Sequence, residues 1–181
     1  MAMKELFHGQ APDLILSGVN RGQNLAEDVT FSGTIAGALQ GMQMGVPSIA
    51  LSLARGFQGA NSLPWDTAEA HGPKLIKDLL SKGWPKNCIL SVNFPDTSVD
   101  GVKGVQITRQ GHRDFQMSGV DKRSHPRGGH YFWLTYGAAK SNPPHGTDLR
   151  AIYDGYISVT PLHVDLTHGE TIGDLAAGSK A

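Results

Sequence analysis

Residues 12–34 constrain the fold of this chain more than any other stretch of its sequence. A short apolar strand at residues 14–17 leads into a glycine-rich loop that contains Asn20 and Asn24, and Ser32-Gly33-Thr34 then begins a helical run. In α/β proteins, loop groups at the carboxyl end of a strand lie beside the amino end of the next helix, where they form an anion site. The segment therefore predicts an α/β fold with a candidate anion site at Ser32-Gly33-Thr34, here called the phosphate turn.

Strand and helix signals continue to alternate after the phosphate turn. Ser32 is predicted to be the N-cap of the first helix, and each helix is followed by a short, continuous apolar run. This order is typical of a Rossmann-like, mostly parallel sheet covered by helices, with strands near Leu14, Ile49 and Leu90. The predicted elements are a strand at 14–17, a helix at 33–44, a strand at 48–53, a helix at 65–82 and a strand at 88–93.

The pattern changes after residue 95. Residues 109–129 are polar and rich in Arg, His and Gly, which predicts an extended arm or long hairpin rather than core. Strands are predicted on both sides of this arm, and a short helix and a last strand follow it. The predicted ranges are strands at 102–108 and 131–136, a helix at 148–153, a strand at 156–160 and a frayed tail at 176–181.

Composition excludes several classes of protein. Lys+Arg and Asp+Glu each total 16, so the formal charge is zero and neither nucleic acid nor a membrane surface is an expected partner. Cys88 is the single cysteine, which excludes an intrachain disulfide framework and fits a reducing compartment. No apolar run is long enough to span a bilayer, and the first residues lack the apolar core of a secretory signal. We therefore expect a cytoplasmic protein.

The residue types near the phosphate turn allow two interpretations. Asn20 and Asn24 offer neutral oxygens that suit Mg²⁺ or Mn²⁺ only alongside carboxylates, and the phosphate turn offers hydroxyls and backbone N–H groups that suit a phosphate. The alternative is that Ser32 only caps a helix and the asparagines only form turns. Taken without any other information, the residues favour that second, structural interpretation.

Other candidate sites are weaker. His163 and His168 are five positions apart, and such a pair alone is poor support for a zinc site. The arginines of the 109–129 arm are interpreted as part of a solvated or interfacial hairpin, and Asp148 as a first-turn partner of a helix dipole. A dinucleotide-binding domain is disfavoured because no Gly-x-Gly-x-x-Gly with an acidic residue beyond it stands between a strand and a helix.

Motifs along nearly the whole chain closely resemble the survival protein E (SurE) family of 5′-nucleotidases. They are Pro-Asp-Leu-Ile-Leu-Ser-Gly-Val-Asn from Pro12, Ser-Gly-Thr at the phosphate turn, Ile-Leu-Ser-Val-Asn-Phe-Pro from Ile89, Gly-Thr-Asp from Gly146 and Gly-Tyr-Ile-Ser-Val-Thr-Pro-Leu-His-Val-Asp from Gly155. The resemblance implies a metal-dependent phosphomonoesterase that hydrolyses nucleoside 5′-monophosphates, with 3′-nucleotidase and exopolyphosphatase activity in some members. It also implies Mg²⁺ or Mn²⁺ as the cofactor and a homodimer or homotetramer with a swapped carboxyl-terminal arm.

The resemblance also implies roles for individual residues. Asn20 matches the family's metal-binding asparagine, and Asn24 matches a second active-site asparagine. Ser32, Gly33 and Thr34 match the turn that contacts phosphate. The chain is expected to form a single SurE-like domain over 1–181, with an α/β core at 1–100 and a hairpin arm and oligomerisation segment at 101–170.

One departure from the family pattern bears on activity. Family members begin with a strand ending in Asn-Asp-Asp-Gly, whose aspartates hold the metal, but this sequence contains no Asp-Asp pair, so no catalytic acid is assigned. The chain is therefore expected to be a family member without its amino-terminal part, with an open sheet edge beside residues 14–17. Two functions stay open: a metal-dependent phosphomonoesterase, or a catalytically silent form that keeps a phosphate cradle and an oligomerisation role.

Overall fold

The fold is seen in a computed structural model that describes residues 5–8, 10–56, 63–113, 117–136 and 142–178. The strands are β1 (Ile15–Arg21), β2 (Ser48–Leu53), β3 (Ile89–Phe94), β4 (Val105–Ile107), β5 (Met117–Ser124), β6 (His130–Tyr136) and β7 (Ile157–Leu162). The α-helices are α1 (Gly33–Gln43), α2 (Trp65–Ser81), α3 (Asp148–Tyr153) and α4 (Gly169–Gly178), and 3₁₀ helices lie at Ala26–Phe31 and Val99–Gly101. None of the described helices is long and apolar enough to cross a bilayer.

The main sheet has five strands in the order β1-β2-β3-β7-β4. β1, β2 and β3 are parallel, and α1 and α2 connect them, which confirms the predicted parallel α/β layer. β7 runs antiparallel to β3 and parallel to β4. β1 is an edge strand, and Leu16 on it is 46% exposed.

One face of the sheet, here called the apolar face, forms the larger core. Successive side chains of a strand point to opposite faces, so alternate residues of β2, β3 and β7 share this face. Helix α2 packs on it through Leu75 and Leu79. Its buried strand residues are Ile49, Leu51, Leu53, Leu90, Val92, Phe94, Ile157 and Val159.

The opposite face, here called the polar face, is only partly apolar. Ile35 and Ala38 of α1 pack on Ala50 of β2 and Ile89 of β3, which form an apolar patch on this face. As predicted, Ser32 is the N-cap of α1: its Oγ accepts a hydrogen bond of 3.1 Å from the Ile35 amide. The strand positions beyond this apolar patch carry serine, threonine and asparagine.

β5 and β6 form a separate antiparallel hairpin. The extended hairpin predicted from residues 109–129 is therefore present, but its strands span 117–136 and include the strand that was predicted to flank it at 131–136. Its aromatic strand is exposed, with Phe132 at 62%, Trp133 at 58% and Leu134 at 54%. Residues 109–113, which lead into the hairpin, are here called the arm base.

One expectation for the carboxyl-terminal part is wrong. The sequence pattern does not predict α4, and residues 176–178, expected in a frayed tail, form its end. Residues 155–165 fall within the predicted hairpin arm and oligomerisation segment at 101–170, and β7 lies inside the main sheet of its own chain. Ile157 and Val159 lie on the apolar face of that sheet, and Ser158 and Thr160, which alternate with them, lie on the polar face. All four residues are buried. β4, α3 and β7, all within 101–170, therefore belong with the main sheet.

Candidate functional site

The candidate site lies where the parallel strands end. The register places Asn20 of β1 beside Ser52 of β2, and Ser52 beside Asn93 of β3. Carboxyl ends of parallel strands share one edge of a sheet, which is the usual position of a ligand in an open α/β fold. The fold therefore brings one asparagine predicted from the sequence next to two polar residues that were not predicted.

Asn24 is fixed by its neighbours in the sheet. The Asn93 Oδ1 accepts a hydrogen bond of 2.9 Å from the Asn24 amide, and the Asn93 Nδ2 donates one of 3.1 Å to the Asn24 carbonyl. The Asn24 Nδ2 also donates to the Ser52 Oγ at 2.8 Å. Asn93 thus pairs with both backbone groups of Asn24, as a neighbouring strand would, and holds the glycine-rich loop against the sheet.

The polar network continues across the sheet. Asn93 and Ser91 of β3 lie in register with Ser158 and Thr160 of β7. Thr108 joins the two β7 residues, because its Oγ1 lies 2.8 Å from the Ser158 Oγ and 2.7 Å from the Thr160 Oγ1. All five side chains are buried. Each is neutral, so the network orients groups by hydrogen bonding without placing a charge in the interior.

The phosphate turn lies at the start of α1. The first N–H groups of an α-helix have no acceptor within the helix, so those of Gly33 and Thr34 are suited to an anion. A Cβ on Gly33 would meet no atom within 4 Å, so this turn is open. Ser32 also borders a mostly apolar cavity of about 180 Å³, together with Gln110 and His163.

The structure thus places the predicted residues in two groups. Asn20 and Asn24 meet around Ser52, and the Asn20 Nδ2 donates to the Gly22 carbonyl at 2.9 Å. Ser32 caps its own helix, beside Gly33 and Thr34. The convergence of both groups on one ligand stays a prediction.

Sequence reasoning missed Ser52, Asn93 and Asp148. Ser52 and Asn93 stand at alternate positions of strands whose other residues are mostly apolar, and this two-residue period was the signal that could have found them. Asp148 was interpreted as a partner of a helix dipole. In the fold it is 2% exposed, and its carboxylate accepts hydrogen bonds from the amides of Ala26, Gly111 and Leu149 at 2.8, 2.8 and 2.7 Å.

The pKa values of two carboxylates in this part of the fold are shifted in opposite directions. Burial raises the pKa of Asp148, although its backbone hydrogen bonds and the Arg113 charge oppose this. Partial burial acts to raise the pKa of Glu27 as well, but hydrogen bonds from the Arg113 amide and the His112 ring outweigh it. The pKa of Glu27 is therefore lowered from its ordinary value of 4.5.

The residues around Asn20 do not by themselves suit a divalent cation. Within the described ranges, no group of three or more His, Cys, Asp or Glu residues is placed to hold a metal ion. Mg²⁺ and Mn²⁺ prefer carboxylate oxygens, whereas the strand register places a hydroxyl, on Ser52, beside Asn20 and an amide, on Asn93, on the next strand. The neutral network can orient a phosphate or a sugar, but it lacks the charge to hold such a metal.

Comparison with known proteins identifies the family. The family model described as survival protein SurE matches residues 1–117. The 5′-nucleotidase SurE of Caulobacter vibrioides is 54% identical over 176 residues, covering 97% of this chain and 67% of the relative. The 5′-nucleotidase SurE of Hyphomonas neptunium is 58% identical over 157 residues, covering 87% of this chain and 62% of the relative.

Structural comparison agrees. The crystal structure of the SurE protein from Aquifex aeolicus superposes with a TM-score of 0.80 and 34% sequence identity, covering 99% of this chain and 70% of that one. The sequence comparison and the structural comparison therefore identify the same family over almost all of the chain. It belongs to the SurE family.

Proposed function

We propose that this chain serves in the hydrolysis of nucleoside 5′-monophosphates, as a metal-dependent phosphomonoesterase of the SurE family. The observation that carries the proposal is the buried network of Asn24, Ser52 and Asn93 at the carboxyl edge of the parallel strands, in a chain whose relatives are named 5′-nucleotidases. In this proposal the phosphate turn binds the phosphate through backbone N–H groups. Asn20 and Asn24 orient it from the end of β1.

A second candidate function follows from the chemistry of the donor set. The 181-residue chain has no Asp-Asp pair, and its described residues place no cluster of acidic ligands near Asn20. We propose that this chain on its own binds Mg²⁺ or Mn²⁺ weakly and turns over very little substrate, while it retains a phosphate cradle. A metal, when bound, would supply charge to the reacting phosphate. The residues described here act by binding and orienting.

Measurement of phosphate release distinguishes the two candidates. The purified chain would be incubated with AMP and either Mg²⁺ or Mn²⁺, with the Caulobacter vibrioides relative as the positive control. Metal-dependent release that Asn20→Ala abolishes would support the enzyme, and binding of AMP without release would support the silent cradle. The same assay with 3′-monophosphates and short polyphosphate tests the wider activities that the family resemblance implies.

We further propose that the protein acts in the cytoplasm as a homodimer or homotetramer. Cys88 as the single cysteine supports the location, and the exposed aromatic strand β6 supports the assembly. Light scattering on the purified chain would test the assembly.

A further inference from the structure

Ala26 has an unusual backbone that other parts of the chain hold in place. Its φ is +52°, in the left-handed region that non-glycine residues rarely adopt, and the residue is fully buried. Such a conformation is strained in a residue other than glycine and persists only when its surroundings fix it. Here the Asp148 Oδ2 accepts from the Ala26 amide, and the Gln110 Nε2 donates to the Ala26 carbonyl.

The next two residues are held by the same part of the chain. The Glu27 carboxylate accepts hydrogen bonds from the Arg113 amide at 2.8 Å and from the His112 ring at 2.9 Å. Asp28 forms an ion pair with the Arg113 guanidinium. Residues 26–28 are therefore bound to the arm base by hydrogen bonds and an ion pair.

Asp148 accepts hydrogen bonds from three segments of the chain. Its Oδ1 accepts from the Gly111 amide of the arm base and from the Leu149 amide of α3, while its Oδ2 accepts from Ala26. The packing around it is tight, because a Cβ on Gly111 would lie 2.9 Å from the Asp148 Oδ1. One buried carboxylate thus joins α3, the arm base and the start of the 3₁₀ helix.

That 3₁₀ helix leads directly into the candidate site. It begins at Ala26, two residues after Asn24, and ends at Phe31, next to Ser32 of the phosphate turn. We propose that Asp148 is a positioning residue. By fixing Ala26 it determines the direction of the 3₁₀ helix, and therefore the position of the phosphate turn that follows this helix. It also connects the position of the phosphate turn to that of the arm base. This inference rests on the proposed function for the identity of its ligand, but the effect of Asp148 on residues 26–34 can be tested without any ligand.

Asp148→Asn gives a selective test because an amide has only one oxygen. Two donors, Gly111 and Leu149, meet at Oδ1, so the amide oxygen is expected to take that position. The Nδ2 group would then face the Ala26 amide, donor against donor. Ala26 loses its acceptor, whereas Gly111 keeps one. Asp154→Asn is the matched control, since Asp154 follows the same helix and pairs with Arg150 instead.

Hydrogen–deuterium exchange of the chain provides the measurement. In Asp148→Asn, exchange at residues 26–34 should rise at least tenfold, while exchange in β2 and β3 stays at the level of Asp154→Asn. Adding Ala26→Gly, which removes the left-handed cost, should restore part of the protection. Unchanged exchange at residues 26–34 would show that Asp148 does not hold them, and an equal rise throughout the sheet would show only a general stabilising role. Either result would overturn the inference.

Titration with AMP separates this inference from the proposed function. If the unaltered chain binds AMP, Asp148→Asn should weaken binding at least fivefold more than Asp154→Asn, and equal affinity of the two variants would overturn the positioning role. If the unaltered chain binds no AMP, the proposed function fails. The exchange result then decides by itself whether Asp148 fixes the turn.

Discussion

The two faces of the main sheet are built from the same strands, yet they have different chemistry. In β3, Val92 and Phe94 point into the apolar core, while Ser91 and Asn93, one position away, belong to the polar network. Both faces are buried, so exposure to water does not explain the difference. A protein interior tolerates polar side chains when each finds a partner, and the network provides those partners. The apolar face stabilises the fold, and the polar face is where we place the function.

The largest expected effect comes from the apolar face. Phe94→Ala should lower the free energy of unfolding by about 3–5 kcal/mol, because it removes a large side chain that is 1% exposed. Chemical denaturation followed by circular dichroism measures this change. Any folded fraction should bind AMP as the unaltered chain does. A selective loss of binding at unchanged stability would contradict the assignment of this face.

The neighbouring position on the polar face should behave differently. Asn93→Ala leaves the buried amide and carbonyl of Asn24 without their partners, at a cost of about 1–3 kcal/mol. It should also weaken AMP binding, since the loop bearing Asn24 is released. The comparison of denaturation and calorimetric titration for Asn93→Ala and Phe94→Ala separates the two faces. A variant at Asn93 that binds AMP normally would remove the polar face from the site.

The hairpin offers a third apolar surface, one that faces solvent. Trp133→Asp should raise the dissociation constant of the proposed dimer at least tenfold, about 1.4 kcal/mol, and leave the fold of each chain intact, because Trp133 is 58% exposed. Leu80→Asp is the control, since Leu80 is also partly exposed but belongs to α2 rather than to the hairpin. Light scattering at micromolar concentration gives the oligomeric state. A monomer before any substitution would exclude this role for the hairpin.

The smallest expected effect concerns pH. The pKa of Glu27 is lowered in the folded chain, so its ionised form contributes stability above pH 4.5 that is lost as the pH falls through the folded pKa. Glu27→Gln should therefore lose less stability than the unaltered chain when the pH falls below 4.5. Thermal unfolding across pH 3–6 would show this. Parallel pH profiles for the two proteins would contradict it.

The sequence was sufficient for the parallel layer and for the hairpin. Residues 48–53 and 88–93 are short apolar runs with clear boundaries, and the phosphate turn carries an N-cap that the structure confirms. The position of β7 between β3 and β4 could not be predicted from the sequence, because strand pairing depends on contacts between residues distant in sequence. The role of Asp148 was also beyond reach, since its partners Ala26 and Gly111 lie 122 and 37 positions away. Local patterns describe a residue's own element, whereas these partners are set by the assembled fold.

The central claim, that the polar face and the phosphate turn form one ligand site, is tested most directly by nuclear magnetic resonance. The ¹⁵N-labelled chain would be titrated with AMP while its backbone and side-chain amide signals are followed. We predict saturable shifts at Asn20, Asn24, Gly33 and Thr34, and none at the core residue Val92. Shifts at the asparagines without shifts at Gly33 and Thr34, or no shift at millimolar AMP, would contradict the claim.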